Sequence, residues 1–133
     1  VIPALVKEPW SEEAGRALAR ALADGGPDVR AEVEQGAAEL FRVPGLGWIV
    51  MRIEEHLSGR RELVIVAAVN LERRELAAAA TLPGLIALAR AQEVHSIRVH
   101  SARPGMGRLL ERFGFRAVER VYRLEIGDGR AVQ

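Results

Sequence analysis

The chain contains no cysteine, so it has neither disulfides nor thiolate metal sites. Lys7 is its single lysine, which leaves the positive charge almost wholly to arginine. Aromatic residues are scarce at 5%, and Tyr122 is the single tyrosine. A platform of aromatics interleaved with basic residues, the kind that stacks nucleic-acid bases, is therefore missing. No apolar run reaches the ~18 residues of a membrane span, and the start lacks the basic-then-apolar layout of a signal peptide. These absences predict a soluble intracellular protein with no membrane partner. A valine at the first position suggests processing or an unusual start.

What is present is an ordinary globular composition, 49% hydrophobic and 28% charged over 133 residues. That length suits one domain spanning 1–133 around one core. The net charge of +1 is unevenly spread: residues 1–60 carry seven basic and ten acidic groups, whereas 98–123 carry seven arginines against Glu111 and Glu119. Arginine makes bidentate pairs and tolerates desolvation, so this end fits an acidic protein partner or a neighbouring subunit. It equally fits a solvated face.

Periodicity organises the chain. Residues 2–6 read as a short first strand. Ser11 caps a helix with Glu12 and Glu13 in its first turn, Ala14, Leu18, Ala21 and Leu22 as its buried stripe, and Gly25-Gly26 at its end. A second helix covers about 28–35 and stops at Gly36. Period-2 alternation then predicts a three-stranded antiparallel meander over 39–70, its last strand a nearly continuous apolar run. A helix follows over 71–92, interrupted at Pro83-Gly84, then a strand over 94–101. Pro104 opens a short helix whose Met106, Leu109, Leu110 and Phe113 face inward, and Gly114 closes it. Residues 115–126 supply one or two closing strands, with Tyr122 in the core beside Leu124 and Ile126. The whole is an α/β (α+β) fold, a mostly antiparallel central sheet flanked by about four helices.

Among candidate chemical groups, Glu54, Glu55 and His56 end a long strand and Glu62 opens the next. Glu54 or Glu55 is a candidate general base acting through water, and charges beside a hairpin turn also simply solvate it. His95 and His100 fall on opposite faces of a strand and do not form a metal site. Trp10 and Trp48 read as packing anchors. Arg108, Arg112 and Arg116 lie on or beside the outer face of the short helix and are candidate interface residues.

The element order, with the segment "RPGMGRLLERFGF" passing into "VYRLEI", resembles the GNAT (Gcn5-related N-acetyltransferase) superfamily, and most of all its small phage-encoded members. The resemblance covers nearly the whole chain. It implies an acetyl-CoA site where a Gln/Arg-x-x-Gly-x-Gly/Ala loop offers backbone amides at a helix N-terminus. In the register that puts Gly84 last, Leu82 stands at the first glycine, and Gly84, Leu85, Arg73, Arg74 and Arg103 become the cofactor-binding candidates. Leu110 stands where such enzymes often have an acidic tyrosine, and Tyr122 is the only remaining phenol. The resemblance so read implies a degenerate acetyl-CoA site and a non-catalytic role: a protein-interaction or phage-particle component, homo-oligomeric or bound to phage structural proteins, in the bacterial cytoplasm or the virion. The alternatives are an acetyl-CoA-dependent N-acetyltransferase acting on an amine and, less in keeping with the composition, a nucleic-acid-binding module.

Overall fold

The computed structural model describes residues 5–22, 27–70, 74–100 and 106–127. Contacts divide the chain into two compact units, Val1–Ala102 and Arg103–Gln133. In the first, the order is β1 (Val6–Glu8), α1 (Glu12–Ala21), α2 (Pro27–Glu34), β2 (Glu39–Val43), β3 (Gly47–Glu55), β4 (Arg61–Asn70), α3 (Arg74–Ala91) and β5 (Ser96–Val99); the second contributes α4 (Met106–Arg112). The five strands form one sheet in the order β1-β2-β3-β4-β5. The first four pair antiparallel, and β5 lies parallel to β4 because α3 carries the chain back across the sheet.

Alternation sorts the strands onto two apolar faces. On one, Leu40, Trp48, Val50 and Ala67 pack with Ala14, Ala17 and Leu18 of α1 and Val29 of α2. On the other, Phe41, Val43, Ile49, Met51, Leu63 and Ile65 pack with Leu85 and Ala89 of α3. Leu18 and Leu40 are essentially fully buried, and each such side chain contributes roughly 1.5–3 kcal/mol. The Ser11 cap forms: its Oγ accepts from the Ala14 amide at 3.1 Å. Both tryptophans are packing anchors, Trp48 inside the α1 face and Trp10 against it. The Trp10 ring lies so close to Gly15 that a Cβ there would sit 3.2 Å from it.

The meander over 39–70 is as the alternation predicts. Three expectations need correction. The first strand is Val6–Glu8 rather than 2–6, with residues 1–4 outside the described set. Its Lys7 and Glu8 pair with Phe41 and Leu40 of β2, so strand pairing extends past the apolar run that marked it. The helix does not break at Pro83-Gly84; α3 runs unbroken through both. Pro83 removes only the donor to the carbonyl of Ala79, and Ala79 is exposed, where water can replace it. Finally, residues 113–127 carry no strand, and with no ladder to cover it Tyr122 is 84% exposed rather than in a core. Within α4 no residue is fully buried; Met106, Leu109, Leu110 and Phe113 are half-buried. Gly25-Gly26 and Pro104 lie outside the described residues.

Candidate functional site

The two halves of β4 have different surroundings. Glu62 to Ile65 pair in parallel with Ser96 to Val99, after which β5 ends. Strand β4 continues to Asn70, still paired with β3. No described strand pairs with residues 66–70 on the β5 side. At the parting point the β3–β4 register shifts: Met51 faces Ile65 and Val50 faces Ala67, so Val66 is an extra residue. Such a bulge leaves its backbone outside the regular ladder and bends the strand. Beyond it come Ala67 and the exposed Ala68, whose small side chains leave the strand edge bare. Four residues on from the end of β4, α3 opens at Arg74, and the first amides of a helix have no partner within it. The strand edge and the helix start each offer backbone donors. They suit an extended ligand carrying amides and ending in phosphates.

The other half of β4 is filled with charge. Glu54 and Glu62 stand directly opposite on β3 and β4, and Ser96 and Arg98 follow on the same face of β5. Like charges opposite one another on a sheet repel. Arg98 resolves this by spanning both carboxylates: Nη1 donates to Glu62 Oε1 at 2.8 Å and Nη2 donates to Glu54 Oε2. Ser96 Oγ donates to Glu62 Oε2 at 2.9 Å, and His56 Nε2 lies 3.5 Å from Glu62 Oε1. Arg52 extends the network, 3.7 Å from Glu54 and donating to Glu32 of α2 at 3.2 Å. Burial alone would raise the Glu62 carboxyl, but the Ser96 hydroxyl, the Arg98 charge and His56 together hold it below its ordinary value. A carboxylate so held is a weak proton acceptor, the reverse of what general-base work needs.

Of the sequence candidates, Glu54 is thus bound into an ion cluster, and Glu55, opposite Arg61, is exposed. Gly84 and Leu85 lie buried well inside α3, where amides serve the helix itself. Arg74 opens that helix; Arg73 and Arg103 lie outside the described residues. Arg108 and Arg112 on α4, and Arg116 beyond it, are exposed. His95 accepts through Nδ1 from the Arg61 amide at 3.1 Å, joining the β4 and β5 ends. Among the described residues no three His, Asp or Glu gather as metal ligands, and no helix is long and apolar enough to cross a membrane. Two shallow hollows, of about 230 Å³ beside Trp48 and about 610 Å³ beside His95, are not lined by residues 66–70.

Sequence reasoning missed the Val66 bulge, which no glycine or proline marks.

No family model and no curated protein sequence matches the chain. Solved structures do. A ribosomal-protein-alanine N-acetyltransferase from Brucella melitensis biovar Abortus 2308 is 21% identical, with 93% of this chain and 100% of that one covered and a TM-score of 0.60. An acetyltransferase from Trypanosoma brucei is 20% identical over 92% and 99%, also at 0.60. A transcriptional regulator from Bacillus halodurans C-125 is 15% identical over 92% and 99%, at 0.65. The mixed five-stranded sheet with its four helices is the GNAT acetyltransferase fold.

Proposed function

We propose that this chain binds acyl-CoA along residues 66–70 and the first turn of α3 and acts as an N-acetyltransferase on a weakly basic amine. The observation that carries the reading is that β4 parts from β5 and bulges at Val66 shortly before α3 opens in sequence. These residues fit the cofactor: backbone donors for its amide arm, small alanines where it would lie, and helix amides for its pyrophosphate. Bound acetyl-CoA would supply the acetyl thioester. The Val66 amide would hold the acyl oxygen as charge develops on it, and the departing thiolate would take up the proton that the attacking amine loses. Glu54 and Glu62 are engaged by Arg98 and do not serve as bases, so the amine must enter already neutral. The rate should therefore rise with pH through the pKa of the amine substrate itself, shifting when the amine is changed. Thermal unfolding with acetyl-CoA tests the reading: at ~100 times the dissociation constant, binding stabilises by roughly 2.7 kcal/mol, and an unmoved transition would remove it.

A second reading, that the protein works by contact, is favoured by one observation: Arg108, Arg112 and Arg116 are all exposed. The partner would be an acidic protein surface, in the cytoplasm or in a phage particle. Arg108→Glu with Arg116→Glu should then abolish co-assembly without moving the unfolding temperature, whereas unchanged co-assembly would sink this reading.

A further inference from the structure

On the α1 face of the sheet, at its β1 edge, Trp48 helps to line the hollow of about 230 Å³. The side chain is only 5% exposed, and its Nε1 is a buried donor with no acceptor among the described residues. Buried polar groups in folded proteins are nearly always hydrogen-bonded. Packing accounts for the indole ring, but its N–H calls for a partner from outside the fold. The charged groups of the same hollow are only half used. Arg42 stands opposite Trp48 in the β2–β3 register, hence on the same face. Its Nε donates to Glu8 Oε1 at 2.5 Å, and its two Nη groups make no hydrogen bond among the described residues. Glu13, in the first turn of α1, also lines the hollow and has no ion-pair partner among the described residues. Gly45 and Gly47, at the β2–β3 turn, keep side chains out of its wall.

We infer that this hollow is a binding site for a free α-amino acid. A carboxylate entering it accepts from Trp48 Nε1 and from the Arg42 Nη groups, whose planar fork matches a carboxylate. The ammonium group on the adjoining carbon meets Glu13, while Glu8 stays with Arg42. A simple anion would bring its charge against Glu8 and Glu13 with nothing to offset them. A simple amine would leave the indole N–H and the Arg42 donors unmet. A zwitterion answers both sets of groups. The volume lies below the roughly 300–1,000 Å³ of drug-sized sites, so the occupant is small. Nε1 is itself closed to water, so an acceptor reaches it only as a lining side chain swings aside. Glu13 and Arg42 are exposed, and their long side chains are the ones free to move. No lining residue belongs to residues 66–70 or to α3, so the inference stands whether or not acetyl-CoA binds.

Nuclear magnetic resonance on the full chain tests it. Trp10 and Trp48 are the chain's two tryptophans, so they give two indole N–H signals, which Trp10→Phe or Trp48→Phe assigns. Glycine, L-alanine, L-glutamate and L-arginine are titrated separately, and at least one should shift the Trp48 indole signal saturably. The same molecule without its amine, and again without its carboxylate, should each bind about tenfold more weakly or worse. Glu13→Gln should also weaken binding about tenfold, with the Trp48 signal still there to report it. Glu13 is exposed, so an otherwise unchanged amide spectrum should show the fold intact. No saturable shift with any of the four amino acids would overturn the inference. So would equal binding of the molecule lacking either charged group, or a Glu13→Gln variant that binds like wild type.

Discussion

Residues 61–65 and 66–70 are two halves of one strand, both paired to β3, yet the chain equips them in opposite ways. The first half has β5 alongside it, and a cluster of two arginines, three carboxylates and a histidine reaches across three strands. The second half has no described strand paired on that side and carries only small or aliphatic side chains up to Asn70. The difference teaches where to look for chemistry. A sequence reader is drawn to the glutamates, but on the filled half every carboxylate on the sheet face already has a cation. The uncharged half has backbone to offer, and an acyl thioester and a pyrophosphate are groups that backbone amides recognise.

Breaking the filled half should have the largest effect. Arg98→Met removes the cation between Glu54 and Glu62, whose side chains are 33% and 14% exposed. Stability at pH 7 should fall by about 2–4 kcal/mol in urea unfolding, less than a fully buried pair would lose. Adding Glu54→Gln should recover part of it, because the surviving carboxylate no longer faces a like charge. Acetyl-CoA affinity of the folded fraction should not change, and a loss of affinity would blur the division between the halves.

Obstructing the bare half should have a smaller effect of another kind. Ala68→Phe adds bulk to an exposed position, so stability should stay within about 0.5 kcal/mol of wild type. Acetyl-CoA affinity should drop about tenfold, or about 1.4 kcal/mol, by titration calorimetry. Binding as tight as wild type would place the ligand elsewhere.

The smallest expected effect is a pH dependence. The folded Glu62 carboxyl lies below its ordinary value of 4.5, so the folded state binds its proton less readily than the unfolded chain. Its contribution to stability is present above that value and disappears as pH falls through the lower folded one. In Glu62→Gln the stability-versus-pH curve should be flatter over that acid range, and an unchanged slope would contradict the assignment.

Much of the fold was legible because period-2 alternation over 39–70 and the Ser11 cap are local patterns, written in adjacent residues. The ion cluster was not, since Arg98 meets Glu62 and Glu54 across separations of 36 and 44 residues, and only strand register brings them together. Pro83-Gly84 misled for a physical reason: a proline normally punctuates a helix, but here the single lost bond falls at an exposed carbonyl and the helix continues. Residues 115–126 misled in the opposite sense. Their alternation marks strand propensity, yet residues 115–127 carry no strand and Tyr122 is exposed.

Hydrogen–deuterium exchange with and without acetyl-CoA tests the central claim most directly, because it reads the backbone amides on which the claim rests. The account predicts slowed exchange at residues 66–70 and in the first turn of α3, with residues 61–65 unchanged. Protection absent from 66–70, or confined to another part of the chain, would contradict it.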